Sequence, residues 1–142
     1  MPTAAKDELE PATHAERETR VNRILIADDD PSIVQLLTDY LTDEGYEVVP
    51  ATQSLRIFDR AKESRPDLIL LDIMMPYLDG FDQLKLFSLD PELRDIPVIV
   101  ITAKVGALEG VQDLRRLRIV DYLYKPFDMN ELLQKIKKVL PS

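Results

Sequence analysis

The sequence predicts one doubly wound α/β domain with a parallel sheet of five strands. Short apolar runs of strand length alternate with stretches whose apolar residues recur at helical spacing. Two of the runs, residues 24–27 and 68–71, end in aspartates, as expected where the carboxyl ends of parallel strands meet at one edge of a sheet. The chain has 142 residues, of which 45% are hydrophobic, enough to build one core.

The five predicted strands cover residues 23–28, 46–50, 67–72, 96–102 and 119–124. The first helix follows the first strand. Asp30 can cap that helix, Pro31 suits its first turn, and Gly45 closes it. A second helix is marked by Leu55, Ile57, Phe58 and Ala61, and ends before Pro66.

The remaining helices follow the same helical spacing. The third covers residues 81–89, and the fourth rests on Leu108, Val111, Leu114 and Leu117. The last helix follows Asp128, a capping residue with Glu131 three positions later. We expect it to bury Leu132, Leu133, Ile136, Val139 and Leu140.

Right-handed crossovers favour the flavodoxin-like strand order 2-1-3-4-5 for such a chain. In that order the first and third strands are neighbours, about 4.8 Å apart. Asp28, Asp29 and Asp72 should therefore converge at the switch point of the sheet, where ligands bind. The fourth and fifth strands would bring Thr102 and Lys125 to the same edge.

These residue types suit phosphoryl transfer. Asp28 and Asp29 can hold Mg²⁺, which prefers oxygen ligands. Asp72 can act as a nucleophile and form an aspartyl phosphate. Lys125 can stabilise charge on the phosphoryl oxygens, and Thr102 can donate its hydroxyl to one of them.

Four segments together make the sequence resemble a response-regulator receiver domain of two-component signalling. They are ILIADDDP (24–31), LLDIMMPYLDG (70–80), VIVITAK (98–104) and YLYKPF (122–127). The resemblance covers the chain from about Arg23 to Leu140, so we expect a receiver domain over residues 22–142. Residues 1–21 are predicted to form a disordered tail or, alternatively, a short helix over residues 12–20.

The resemblance implies a role for each site residue. Asp72 is the phosphoacceptor, and Asp28, Asp29, Asp72 and the backbone carbonyl of Met74 hold Mg²⁺. Thr102 and Lys125 are the switch hydroxyl and the lysine, Tyr122 is the aromatic that changes rotamer, and Lys125-Pro126 is a cis peptide bond.

The function implied is a phosphorylation-driven switch. A sensor histidine kinase or a phosphotransfer protein phosphorylates Asp72. Output then passes to a partner protein through a face formed by the fourth helix, the fifth strand and the last helix, and a homodimer through that face is a second option. The only catalysis expected is self-phosphorylation and slow autodephosphorylation, whose rate should depend on Met74 and Lys104.

Two positions depart from the family pattern. Arg118-Ile119-Val120 fills a stretch where receivers commonly have a Gly-Ala step, so a left-handed helix end should be less available. Tyr77 stands where glycine is frequent, which should alter the loop beside the site.

Composition excludes several other functions. The net charge of −8 disfavours direct binding to nucleic acid or an anionic membrane. The absence of cysteine excludes disulfides and thiol nucleophiles, and the one histidine, His14, lies in the polar N-terminal segment. No apolar run is long enough to span a bilayer, so we expect a cytoplasmic protein. With no output domain around the receiver, we expect a stand-alone protein.

Three alternative functions fit the residues less well. An aspartate-nucleophile phosphatase of the haloacid-dehalogenase type would need an aspartate where this chain has Met74. A flavodoxin-like cofactor binder would need a phosphate-binding loop where Asp28, Asp29 and Asp30 stand. A degenerate receiver used only for docking would not need the full set of Asp28, Asp29, Asp72, Thr102 and Lys125.

Overall fold

The computed structural model describes residues 21–109 and 115–141. Five parallel strands form one sheet in the predicted order, β2-β1-β3-β4-β5. They are β1 (Arg23–Ala27), β2 (Glu47–Ala51), β3 (Leu68–Leu71), β4 (Val98–Thr102) and β5 (Ile119–Tyr124). The register pairs Ala27 with Leu71, so the residues that follow these two strands lie side by side.

Four helices surround the sheet within the described residues. They are α1 (Pro31–Asp43), α2 (Ile57–Ser64), α3 (Gly80–Leu89) and α4 (Met129–Val139), and a 3₁₀ turn (Ser54–Arg56) precedes α2. Leu55, which the sequence placed in the second helix, lies in that turn and is 66% exposed. None of these helices is long and apolar enough to cross a membrane.

The helix predicted between the fourth and fifth strands stays a prediction. Residues 105–109 and 115–118 form turns, while Val111 and Leu114 lie outside the described residues. The predicted tail over residues 1–21 lies outside the described part as well, except for Val21. Helix α4 is therefore the last of the five helices that the sequence predicts.

Aspartates cap three helices, with Asp30 before α1, Asp79 before α3 and Asp128 before α4. Asp30 Oδ1 accepts a hydrogen bond from the Ser32 amide at 2.9 Å, and Pro31 occupies the first turn of α1, as predicted. Asp128 caps α4 in the same way. These caps satisfy amide groups that the first turn of a helix leaves without partners, so they define where each loop at the carboxyl edge of the sheet ends.

The core has two apolar layers, one on each face of the sheet. Alternate residues of β1 enter different layers, because side chains alternate along a strand. Ile24 and Ile26 pack with α1 and α4, while Leu25 and Ala27 pack with α2 and α3. Both faces of the central strands β1, β3 and β4 are therefore buried, as expected for a parallel sheet. Because the layers on both sides of the sheet are apolar, polar side chains lie at the ends of the strands.

Two non-glycine residues take the left-handed conformation at the positions that depart from the family pattern. Arg118 has φ +60° directly before β5, and Tyr77 has φ +69° in the loop after β3. The expectation that a left-handed end would be less available without glycine is therefore wrong for Arg118. Hydrogen bonding holds this turn, since the Arg118 carbonyl accepts from the Val98 amide at 2.8 Å.

Replacing Tyr77 with glycine is expected to stabilise the protein. A left-handed residue with a Cβ costs about 1–2 kcal/mol, and the extra entropy of unfolded glycine returns about 0.5–1 kcal/mol of that. The Tyr77 ring is 90% exposed and adds little packing. We expect Tyr77→Gly to raise the free energy of unfolding by about 0.5–1 kcal/mol in urea titrations.

Tyr77→Ala is the matched control, because it removes the ring and keeps the Cβ. We expect its stability to stay within about 0.5 kcal/mol of the starting protein. Equal stabilisation by glycine and alanine would show that the ring, and not backbone strain, sets the stability at this position.

Candidate functional site

Three carboxylates meet at the carboxyl edge of the sheet. Asp28 and Asp72 follow β1 and β3, and the Asp72 amide donates to the Ala27 carbonyl at 2.9 Å. One oxygen from each of Asp28, Asp29 and Asp72 lies within 4.8 Å of the others. Asp28 and Asp72 are buried, and Asp29 is exposed. The structure thus brings together the three aspartates that the sequence singled out.

The ammonium group of Lys125 joins the two buried carboxylates. Its Nζ donates to Asp28 Oδ2 at 2.7 Å and to Asp72 Oδ2 at 3.0 Å. Like charges this close resist joint ionisation unless a cation lies near them. Lys125 supplies that cation from the end of β5, where the sequence predicted it.

Burial and charge act against each other at this cluster. Burial raises the pKa of Asp28 above its ordinary value, and the hydrogen bond from Lys125 only partly opposes that rise. Burial alone would lower the pKa of Lys125, but its hydrogen bonds to Asp28 and Asp72 outweigh burial and raise it. Lys125 therefore stays protonated and paired at neutral pH.

Backbone amides orient the other oxygen of each buried carboxylate. Asp28 Oδ1 accepts from the Asp30 amide at 2.9 Å, and Asp72 Oδ1 accepts from the Met74 amide at 2.9 Å. Each carboxylate is thus held by one ammonium and one amide. This arrangement limits rotation of the Asp72 side chain and places Met74 directly beside it.

Thr102 and Lys125 are tied to each other through the backbone. Thr102 is fully buried at the end of β4, and its carbonyl accepts from the Lys125 amide at 2.8 Å. Its hydroxyl oxygen accepts from the Lys104 amide at 3.2 Å. Thr102 therefore lies at the same sheet edge as the carboxylates and connects it to the loop after β4. The Lys125-Pro126 bond is cis, as the resemblance implied.

Tyr122 lies apart from the carboxylates. Its side chain is 46% exposed, and its ring centroid is 5.4 Å from that of Tyr124. The Tyr124 hydroxyl accepts from the Gly106 amide at 3.2 Å, in the loop after β4. Tyr124 thus connects Tyr122 to the loop that begins beside Thr102. No sequence pattern marks Tyr124 for this role.

Two buried polar residues beside the site were also missed. Ser54 and Gln83 are 6% and 0% exposed, and they form hydrogen bonds to each other and to the loop after β3. Gln83 could have been noticed, since it interrupts the apolar stripe that contains Leu84 and Phe87 on the third helix. Ser54 carries no comparable signal, because its role depends on a contact between distant loops.

A family model described as "Response regulator receiver domain" matches residues 24–137. The chain belongs to the response regulator receiver domain family. The chain is 38% identical over 119 residues to the sporulation initiation phosphotransferase F of Bacillus subtilis, covering 84% of this chain and 94% of that protein. Receiver domains are signalling switches of two-component systems, and they work with histidine kinases or phosphotransfer proteins.

Other relatives are longer proteins that bind DNA. The DNA-binding dual master transcriptional regulator RpaA of Synechocystis is 38% identical over 118 residues, which is 83% of this chain and 48% of RpaA. The DNA-binding response regulator MtrA of Mycolicibacterium smegmatis is 33% identical over 84% of this chain and 51% of its own length. The chain spans about half the length of these two DNA-binding relatives.

Solved structures share the receiver fold. The chemotaxis protein CheY4 of Vibrio cholerae has a TM-score of 0.77 at 29% identity, covering 85% of this chain and all of CheY4. The response regulator TrrA of Thermotoga maritima, solved in complex with Mg²⁺ and BeF, has a TM-score of 0.72 at 32% identity. It covers 84% of this chain and all of TrrA.

The residues of this receiver domain fit a magnesium ion. Asp28, Asp29 and Asp72 offer carboxylate oxygens, the donor type that Mg²⁺ prefers. Asp29 is exposed, which leaves the cluster open on one side to water, and Mg²⁺ commonly keeps several water ligands in proteins.

Proposed function

We propose that this receiver domain accepts a phosphoryl group on Asp72 from a sensor histidine kinase or a phosphotransfer protein. The observation that carries the proposal is the setting of the Asp72 carboxylate. Lys125 and the Met74 amide hold it at the ligand-binding edge of the sheet, beside two further carboxylates. A strand-end carboxylate held by an ammonium and an amide beside other carboxylates suits nucleophilic phosphoryl transfer.

In the transfer, a carboxylate oxygen of Asp72 attacks the phosphorus of a phosphohistidine. The new O–P bond forms as the P–N bond breaks, and the leaving imidazole nitrogen takes a proton from solvent. The products are an aspartyl phosphate and a neutral histidine. The Lys125 ammonium lies 3.0 Å from Asp72 and can stabilise negative charge on the transferred group.

The metal site of this proposal consists of Asp28, Asp29, Asp72 and the Met74 carbonyl. A Mg²⁺ ion bound there would neutralise charge on the phosphoryl oxygens. The chain's own residues supply the rest of the site. The amides of Met74 and Lys104 donate hydrogen bonds to the side chains of Asp72 and Thr102. We expect the side chains of Met74 and Lys104 to influence how quickly the aspartyl phosphate is hydrolysed.

The output step links the phosphoryl group to a protein surface. Thr102 can donate its hydroxyl to a phosphoryl oxygen, which would draw the loop after β4 inward. Tyr122 would then change rotamer from its exposed position. The face around β5 and α4 would repack to bind a partner protein or a second copy of the chain. The net charge of −8 favours a protein partner over direct contact with DNA.

Beryllofluoride binding tests the proposed function, because this anion has the shape and charge of a phosphoryl group. With Mg²⁺ present, fluorine NMR should show saturable bound resonances for the intact chain. Asp72→Ala should abolish them, and Asp59→Ala, which removes an exposed carboxylate of α2, should keep them. Absence of bound resonances from the folded wild type would contradict the proposal.

A further inference from the structure

A buried chain of hydrogen bonds lies beneath the loop that follows β3. Gln83 Nε2, on α3, donates to the Ser54 carbonyl at 2.6 Å. Ser54 Oγ, in the 3₁₀ turn before α2, donates to the Pro76 carbonyl at 2.7 Å. The loop over residues 73–79 is thereby tied to the 3₁₀ turn, and the turn is tied to α3, the helix that directly follows the loop.

The two ends of this loop are closed tightly. The Gly80 amide donates to the Ile73 carbonyl at 3.1 Å, and a Cβ built on Gly80 would lie 2.4 Å from Ile73 Cα. Glycine is therefore required at residue 80. The bond from Ser54 holds Pro76, between these ends, so the loop is held at its ends and in its middle.

Met74 lies between Asp72 and the tethered Pro76. Its amide donates to Asp72 Oδ1 at 2.9 Å, and its carbonyl is a ligand in the metal site proposed above. The peptide groups of Met74 can turn only as far as the two fixed points, Asp72 and Pro76, allow. Loosening Pro76 would therefore let the Met74 carbonyl leave its orientation without unfolding the strand.

The Gln83 amide is only partly satisfied in the interior. Its side chain is fully buried, and its Oε1 has no hydrogen-bond partner among the described residues. Burying an amide that is only partly hydrogen-bonded is unfavourable, and an apolar side chain of similar size would fill the same space. Its one hydrogen bond holds the backbone of Ser54, the residue whose hydroxyl reaches the loop.

We propose that Ser54 and Gln83 are positioning residues for the metal and phosphoryl site. They act through Pro76 and hold the loop so that the Met74 carbonyl would be kept in place to serve as a metal ligand. This inference rests on the proposed function, because it concerns the ligand set of the same site.

Magnesium affinity of Ser54→Ala tests the inference, measured by isothermal titration calorimetry on the full chain. Loss of outer-shell partners typically weakens metal binding 10–100-fold, and we expect about tenfold here. The Mg²⁺ concentration for half-maximal phosphorylation by acetyl phosphate should rise by about the same factor, while the rate at saturating Mg²⁺ stays within about twofold. A merely structural defect would lower the maximal rate instead.

Gln83→Leu puts an apolar side chain of similar size in place of the amide and removes the donor, so we expect a change in the same direction. If Ser54→Ala fails to fold, the magnesium affinity of Gln83→Leu alone tests the inference. Ser64→Ala is the matched control, since Ser64 Oγ donates to the Arg60 carbonyl at 2.7 Å at the far end of α2. Its magnesium affinity should not change.

Wild-type magnesium affinity in both Ser54→Ala and Gln83→Leu would overturn the inference and leave the proposed function intact. If the folded wild type neither binds Mg²⁺ nor accepts a phosphoryl group, the proposed function and this inference fail together.

Discussion

Lys125→Met is expected to lower the free energy of unfolding by about 3 kcal/mol at neutral pH without Mg²⁺, because removing one partner of a buried ion pair leaves an uncompensated charge. The side chains involved are buried enough for this cost to apply. Lys125 is 17% exposed, and Asp28 and Asp72 are 5% and 6% exposed. Urea unfolding in the presence of a chelator measures the loss.

The loss should depend on pH. Burial already raises the pKa of Asp28 above its ordinary value, and removing the ammonium raises it further. Between its unfolded and its folded pKa, a carboxyl whose folded pKa is raised binds more protons in the folded protein than in the unfolded chain. Stability therefore falls as pH rises from the unfolded pKa through the folded pKa. Lys125→Met should therefore be more destabilising at about pH 8 than at about pH 5.

The wild-type protein should lose the stabilising contribution of Lys125 at high pH. The folded pKa of Lys125 is raised above 10.5, so its stabilising contribution is fully present below that value. It is lost as pH rises through the folded pKa.

Lys135→Met is the matched control for charge and length. Lys135 pairs with Asp121 at 3.1 Å, and these side chains are 23% and 31% exposed. More exposed pairs are worth about 0.2–1 kcal/mol, so the control should lose far less stability. Equal losses in the two variants would contradict a special role of Lys125 in holding the carboxylates.

Asp29→Ala is expected to remove most of the stabilisation that Mg²⁺ gives to the wild type. An ion that binds only the folded state stabilises it by about 2.7 kcal/mol at a concentration 100 times its dissociation constant. Asp29 is exposed, and its oxygen lies within 4.8 Å of those of Asp28 and Asp72. Its loss should weaken metal binding with little effect on the metal-free protein.

The measurement is the free energy of unfolding with Mg²⁺ and with a chelator, for each variant. Asp59→Ala, which removes an exposed carboxylate away from the site, should keep the full magnesium effect. An equal magnesium effect in Asp29→Ala and the wild type would refute the metal role assigned to Asp29.

The sequence predicted the sheet and its acidic edge because both follow from local patterns. Apolar runs mark the strands, crossover handedness limits their order, and that order places Asp28 beside Asp72. Asp30 and Pro31 predicted the start of α1 because capping is decided within a few residues. The family and the fold are confirmed by the comparisons.

Features that depend on distant contacts were not predicted. Arg118 takes a left-handed conformation because its place before β5 and the bond from Val98 outweigh its own preference. The tie from Ser54 to Pro76 joins residues 22 positions apart, and no local pattern reports it. The convergence of Asp28, Asp29, Asp72 and Lys125 was predictable, while the contacts that orient them required the structure.

Phosphorylation of Asp72 is the central claim, and intact-mass spectrometry after incubation with Mg²⁺ and acetyl phosphate tests it most directly. We expect the wild type to gain the mass of one phosphoryl group in an acid-stable, base-labile linkage, and Asp72→Ala to gain none. A wild-type protein that stays folded and unmodified, or an Asp72→Ala variant that gains the same labile group, would contradict the claim.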